Sequence, residues 1–261
     1  MSNQKSSVCC VVYTRPLTYL TLVMMIFALM GCGVRYITPG AGADLSGLID
    51  PSLTDRDIQK VLDRKPVALF PAQLAVARIQ APYYRSYITE SYGSGRYSVV
   101  TTKEIETDKH FERLAHLPMI NGVAPLNQIL IPANLESDKE LRIAAANLHA
   151  DLLLVYTLNT VFRVKDHDIG PLGIITLGFL PNHEAKVTST ASAVLFDVRT
   201  GFVYGLAEST AREKQMTSVW TSRDAVDESR IKAETKAFEQ LLDEFELTWK
   251  GIVEQYATSS R

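Results

Sequence analysis

Three patterns of apolar and polar residues alternate along this chain, and each predicts a different element. The first is an unbroken apolar run from Leu17 to Met30 that contains no charge. The second is helical spacing, with apolar residues recurring every three or four positions. Asp55 to about Leu62 reads as a short helix opened by Thr54-Asp55-Arg56-Asp57, with a cap and an acidic residue three positions on. Thr107 to Leu117 reads as another, with Phe111, Leu114 and Ala115 on one face and Pro118 as its stop. Ser137-Asp138-Lys139-Glu140 forms a capping box, after which Leu141, Ala144, Ala145 and Leu148 keep helical spacing. The longest helix is predicted from about Asp224 to Tyr256, where Ile231, Phe238, Leu241, Leu242, Phe245, Trp249, Ile252 and Tyr256 make one stripe.

The third pattern is that of strands. Strand signals begin at Pro66, and a first core strand is expected near Leu74 to Gln80, before Ala81-Pro82. Tyr97 to Thr102 is β-branched, and Ile129-Leu130-Ile131 reads as a short strand between Pro125 and Pro132. In Asp151 to Tyr156 the run after the aspartate is apolar without a break, which suits a central strand covered on both faces. Beyond it the pattern becomes two-fold, with Leu158, Phe162 and Val164 opposed to Thr157, Asn159, Arg163 and Lys165. Lys186 to Val198 and Phe202 to about Ala211 form a final pair joined by Arg199-Thr200-Gly201, where Gly201 supplies the positive φ of a three-residue hairpin. Together these elements predict an α/β (α+β) fold. A single mixed β-sheet of about five to six strands carries helices packed on it, including a long C-terminal helix.

Between Met30 and the folded body the chain changes character. Gly31-Cys32 closes the apolar run, and Lys5 and Arg15 lie upstream, which is the layout of a secretory signal. The stretch resembles a bacterial lipobox. That resemblance implies cleavage between Gly31 and Cys32, a thioether-linked diacylglycerol on Cys32, and acylation of its amine. Gly33, in place of the aspartate that retains such proteins at the inner membrane, implies the outer membrane. An uncleaved membrane anchor is the alternative, but the run falls short of the roughly 20 apolar residues a span needs. The expected division is 1–31 signal peptide, 32–54 acylated end and flexible tether, and 55–261 periplasmic domain.

Composition narrows the function. The chain has 261 residues, 46% hydrophobic and 21% charged, with a net charge of −2, so it has the makeup of a folded domain and no basic footprint for nucleic acid. With Cys9 and Cys10 ahead of the cleavage point and Cys32 acylated, as the lipobox resemblance implies, the folded body would contain no thiol. His110, His116, His149, His167 and His183 make no metal motif, and Asp166-His167-Asp168 reads as a solvated turn. Neither a nucleophile elbow, a P-loop nor a dinucleotide fingerprint occurs. Asp227-Glu228 and Asp243-Glu244 are expected on the polar face of the last helix. Tyr83, Tyr84, Tyr87, Tyr92 and Tyr97 surround Gly93-Ser94-Gly95; they suit half-buried strands and loop edges, or else a ligand platform. The expectation is a non-enzyme with no metal and no cofactor.

One segment is conspicuously apolar. Gly170 to Pro181 carries no charge, and Leu172, Ile174, Ile175, Leu177, Phe179 and Leu180 are either buried over the sheet or in contact with lipid or a partner.

The matching stretches Ile129-Leu130-Ile131-Pro132, Ala150 to Tyr156, Thr188 to Asp197 and Thr200-Gly201 follow an order that resembles bacterial envelope lipoproteins of the curli-export, CsgG-like type, and more specifically rhombotarget lipoproteins. This resemblance implies a periplasmic α/β domain without known chemistry. The expected function is that of an outer-membrane lipoprotein facing the periplasm, held to the bilayer by Cys32 and acting through an envelope protein partner in assembly, secretion or envelope maintenance. An oligomeric secretion pore, as a homo-oligomer, is the related alternative, and a periplasmic hydrolase or ligand-binding protein the distant one.

Overall fold

Strands buried on both faces, as β1 and the first half of β4 are, and one apolar helix stripe are satisfied together by a single sheet with helices on both faces. The computed structural model describes residues 42–45, 55–86, 89–166, 183–217 and 222–257. Its elements in order are α1 (Asp55–Leu62), β1 (Ala72–Gln80), β2 (Ser98–Val100), α2 (Asp108–Ala115), β3 (Ile120–Pro125), α3 (Asp138–Asn147), β4 (Leu152–Asp166), β5 (His183–Asp197), β6 (Val203–Thr217) and α4 (Ser222–Ile252). The sheet is mixed and six-stranded, ordered β2-β1-β4-β5-β6, with β3 also paired to β1.

β1 is the centre of a parallel trio with β3 and β4, while β2, β5 and β6 pair antiparallel to their neighbours. β1 pairs in parallel with β3 on one side and β4 on the other, and β2 takes over the β3 edge where β1 runs on to Gln80. After β1 the chain therefore visits one side, then crosses to the other. α2 and α3 cover opposite faces in doing so. Leu114 of α2 joins Leu74, Val76, Leu154, Tyr156 and the α4 residues Phe238, Leu241, Phe245 and Trp249 in one core. Leu141, Ala144 and Ala145 of α3 join Ala75, Ala77, Ile79, Leu153, Val155 and Phe196 in the other.

The capping box is present as expected: the Ser137 amide donates to Glu140 Oε2 at 2.9 Å, and the Lys139 amide donates to Ser137 Oγ at 3.3 Å. Gly201 has φ +69°. The β5–β6 connection is longer than expected, covering 198–202, because Asp197 organises it. That buried carboxylate accepts from the amides of Val67, Arg199 and Thr200 and from the Tyr204 hydroxyl.

Four expectations are corrected. Ile129-Leu130-Ile131 is not a strand; Gln128–Leu130 is a 3-10 turn in which Asn127 Oδ1 accepts from the Ile129 amide, and Ile129 is 89% exposed. The strand lies just before it, through Asn121-Gly122, which had read as punctuation; an edge position next to β1 tolerates both the glycine and Pro125. No strand starts at Pro66, because the hairpin's side chains hold that segment: Thr200 Oγ1 donates to the Lys65 carbonyl and the Ala68 amide donates to the Tyr204 hydroxyl. Finally, the tether is pinned within its length. Gly42 bridges Gln80, and the Ala43 amide donates to Thr157 Oγ1 at 3.0 Å.

Candidate functional site

Two features stand out among the described residues: a groove on the outer face of the β4-β5-β6 hairpins, and a buried ion cluster on the opposite face.

α3 is too short to cover the whole sheet. Past Val155 and Val194 the outward positions of β4, β5 and β6 continue as Thr157 and Asn159, Thr190 and Ser192, and Leu206 and Glu208. These residues, with Gly42 to Leu45 as one wall, line a groove of about 810 Å3. Its floor is knitted by cross-strand pairs, Thr190 Oγ1 to Thr210 Oγ1 at 2.9 Å and Ser192 Oγ to Glu208 Oε2 at 2.8 Å. Apolar surface dominates elsewhere, and Leu206 is 66% exposed at the rim. The wall can lie this close because residue 42 is glycine. An added Cβ would sit 3.1 Å from Asn159 Cβ, from the Leu158 carbonyl oxygen and from Thr157 Oγ1. β6 flanks the groove, and its outer edge has no strand partner among the described residues.

On the other face, the α4 stripe does not stop at Phe238. It continues toward the helix start as Glu234, Arg230 and Asp227, all buried. Arg230 Nε donates to Asp227 at 2.8 Å, Nη1 donates to Glu234 at 2.8 Å, and Nη2 reaches Glu104. Arg78, projecting from β1 on the same side as Leu74 and Val76, stands 3.4 Å from Glu106 and 3.9 Å from Glu234. Tyr156 donates to Glu106 Oε1 at 2.5 Å, and Thr160 donates to Glu234 Oε1 at 2.6 Å. Burial works against the Arg78 and Arg230 charges, yet the surrounding carboxylates outweigh it and raise both pKa values. Burial pushes the Tyr84 hydroxyl, which accepts from Arg78 at 3.3 Å, up to about 12.

This cluster corrects the expectation that Asp227 lies on a solvated face: it is 7% exposed, as Arg230 fills the gap between helix and sheet. Asp243 does lie on the outer side of α4, paired with Arg113 at 2.6 Å. Of the tyrosines, Tyr84 and Tyr97 are buried and Tyr83 is 76% exposed, so they form no common platform; Tyr87 lies outside the described residues. His110 packs edge-on against Phe238. Among the described residues no group of histidine, aspartate and glutamate is arranged to hold a metal ion. The lipobox residues Gly31 and Cys32 lie outside the described residues, as do Leu172, Ile174, Ile175, Leu177, Phe179 and Leu180. Also among the described residues, no helix is long and apolar enough to cross a membrane.

Sequence reasoning missed the cluster, although two signals were present. Arg78 interrupts an apolar strand at a core-facing position, and Asp227, Arg230 and Glu234 continue the period of the Phe238 to Ile252 stripe.

No family model and no curated protein matches the chain. Among solved structures it is similar to protein XCC0632 from Xanthomonas campestris, described by the family model DUF330. The two are 13% identical over 74% of this chain and 92% of that one, with a TM-score of 0.36.

Proposed function

We propose that this protein is a lipid-anchored outer-membrane lipoprotein of the CsgG-like, rhombotarget type that works in the periplasm by protein contact, without an enzymatic step. The groove beside β6 is its contact surface. The observation that carries this reading is the pinning of Gly42 and Ala43 to the sheet. Only nine residues lie between Cys32 and Gly42. Even fully extended they reach about 35 Å, so an acylated Cys32 keeps the groove close to the bilayer.

The groove's chemistry indicates the kind of partner. Its charged lining residues are Asp44 and Glu208, both acidic, and the rest is largely apolar. An extended segment with apolar side chains and a basic residue complements it, and the β6 edge offers backbone groups alongside for strand addition.

The test has two arms. Radiolabelled palmitate should enter the protein and be lost in Cys32→Ser, which should also leave the outer-membrane fraction; retained labelling would remove the anchor. Photo-crosslinkers at Asn159 and Leu206 should give a discrete adduct that Glu208→Arg abolishes. A crosslinker at exposed Ile143 should give none. Equal adducts at all three sites would remove the groove. A second reading, a self-assembled ring, is favoured by the edge of 15-residue β6, which has no strand partner among the described residues. A native mass of several copies after detergent extraction would support it.

A further inference from the structure

The sheet ends in an open strand. β6 runs for 15 residues, Val203–Thr217, and its outer edge has no strand partner among the described residues. Every second residue of such an edge turns its N–H and C=O outward, about seven pairs of groups that a further strand satisfies. The opposite edge is built from β2, of 3 residues, and β3, of 6. Neither matches β6 in length, so head-to-tail stacking of copies would leave most of β6 unpaired. The strand that does match it is β6 of a second copy.

The side chains along the edge fit that match. Leu206, Glu208, Thr210, Arg212 and Lys214 project from the groove face of β6 and are exposed. When two β6 strands run antiparallel with every residue paired, the first residue lies opposite the last and Thr210, at the centre, lies opposite itself. That register sets Glu208 of each copy against Arg212 of the other, twice about one axis. Arg212 makes no ion pair among the described residues. Glu208 uses Oε2 for the Ser192 hydroxyl, which leaves Oε1 for a second donor. Leu206 comes opposite Lys214, whose methylene stem lies over it. An axis at Glu208 or at Arg212 instead would put like charges face to face, which destabilises a strand pair. The strand carries Glu208, Arg212, Glu213 and Lys214, balanced in sign, so two copies do not repel. Leu206 is 66% exposed on the groove face, and Leu247, 61% exposed, stands on the side of α4 turned away from Arg113 and toward this edge. An exposed leucine thus flanks the open edge on each face.

From these observations we infer that two copies of the chain pair through β6, antiparallel and about a two-fold axis at Thr210, joining their six-stranded sheets into one. The contact is isologous: each β6 is taken up by the other, so assembly closes at two copies. Pairing of this kind rests on the second reading above, association of copies through β6, and replaces its ring by a closed pair. The edge then belongs to the second copy. The groove, whose floor and Gly42 wall lie off the edge, stays open to the envelope partner.

The experiment uses the full chain in detergent micelles, where native mass spectrometry should show two copies. In Thr210→Cys, oxidation should link them, since directly opposed residues of antiparallel strands lie about 4.5–5.5 Å apart, within reach of a disulfide. The parent chain and Ile143→Cys, at an exposed position on α3, should stay unlinked and control for the chain's own cysteines. Arg212→Glu turns two opposed pairs into two like-charged ones and should weaken the pair by about tenfold or more. Exchanging both charges, Glu208→Arg with Arg212→Glu, should restore it, while the partner adduct that needs an acidic residue at 208 stays lost. Three or more copies would overturn the closed pair and leave self-association standing, and a single copy would overturn both. Two copies without the Thr210→Cys link, equal linking of Ile143→Cys, or no rescue by the charge exchange would overturn the β6 contact.

Discussion

Arg230 and Glu234, one turn apart on α4, meet at 2.8 Å with neither side chain reaching solvent. Around them, two guanidinium groups and four carboxylates tie the start of α4 to β1, to β4 and to the segment that leads into α2. Buried pairs of this kind add little compared with apolar packing, but removing one partner is costly because it leaves the other charged and dry.

Arg230→Met should therefore destabilise the fold by about 3–5 kcal/mol, since it strips the nearest cation from Glu104, Asp227 and Glu234. Glu234→Gln keeps the shape and a polar contact to Thr160, and should cost about 1–3 kcal/mol. Urea unfolding of the two variants measures both. Equal, small losses would mean that the cluster is not under electrostatic load.

Stability should also depend on pH through the same residue. Burial pushes the Glu234 carboxyl above its ordinary value, against the pull of Arg230 and Arg78. The folded chain then holds that proton more tightly than the unfolded chain. The contribution is fully present below the ordinary value of 4.5 and fades as pH rises through the raised one. Glu140 has the opposite sign: burial opposes its charge, but the Ser137 hydrogen bonds win and lower its pKa. Its contribution is held above 4.5 and lost as pH falls through the lowered value. In a series of urea titrations, the advantage of the parent protein over Glu234→Gln should shrink as pH climbs from 4.5. An advantage that widens instead would show that the ion pairs outweigh burial.

Docking of the Gly42 strip can be broken from either side. Gly42→Val pushes a branched side chain onto β4 where a lone Cβ already has only 3.1 Å, and should cost about 1–3 kcal/mol. Thr157→Val removes the acceptor of the Ala43 amide and should cost about 1 kcal/mol. Hydrogen exchange at Ala43 should accelerate in both. Unchanged protection would mean that the strip is held by something other than this contact.

At the start of α3, Ser137→Ala removes the oxygen that accepts from the Lys139 amide and donates to Glu140. A loss of about 1 kcal/mol is expected, read from the shift in the denaturation midpoint at constant slope.

Much of the fold was legible because its signals are local. The capping box at Ser137, the positive φ at Gly201 and the apolar run from Leu152 to Tyr156 each follow from the conformational demands of a few adjacent residues. The 3-10 turn at Gln128–Leu130 was misread for a related reason. Three aliphatic residues in a row look like a strand, while the Asn127 side chain that turns the chain competes from just outside the window.

The sequence by itself determined most of the elements and their combination into a mixed sheet under a long terminal helix. Only the tertiary structure decided which polar residues meet. Arg78 and Arg230 are 152 positions apart, and nothing in either neighbourhood says that one sheet face brings them to a shared carboxylate, Glu234. Helical and strand periods are set by backbone geometry within a few residues. The pairing of charges depends on which strands become neighbours, and that is settled by how the whole chain hides its apolar surface.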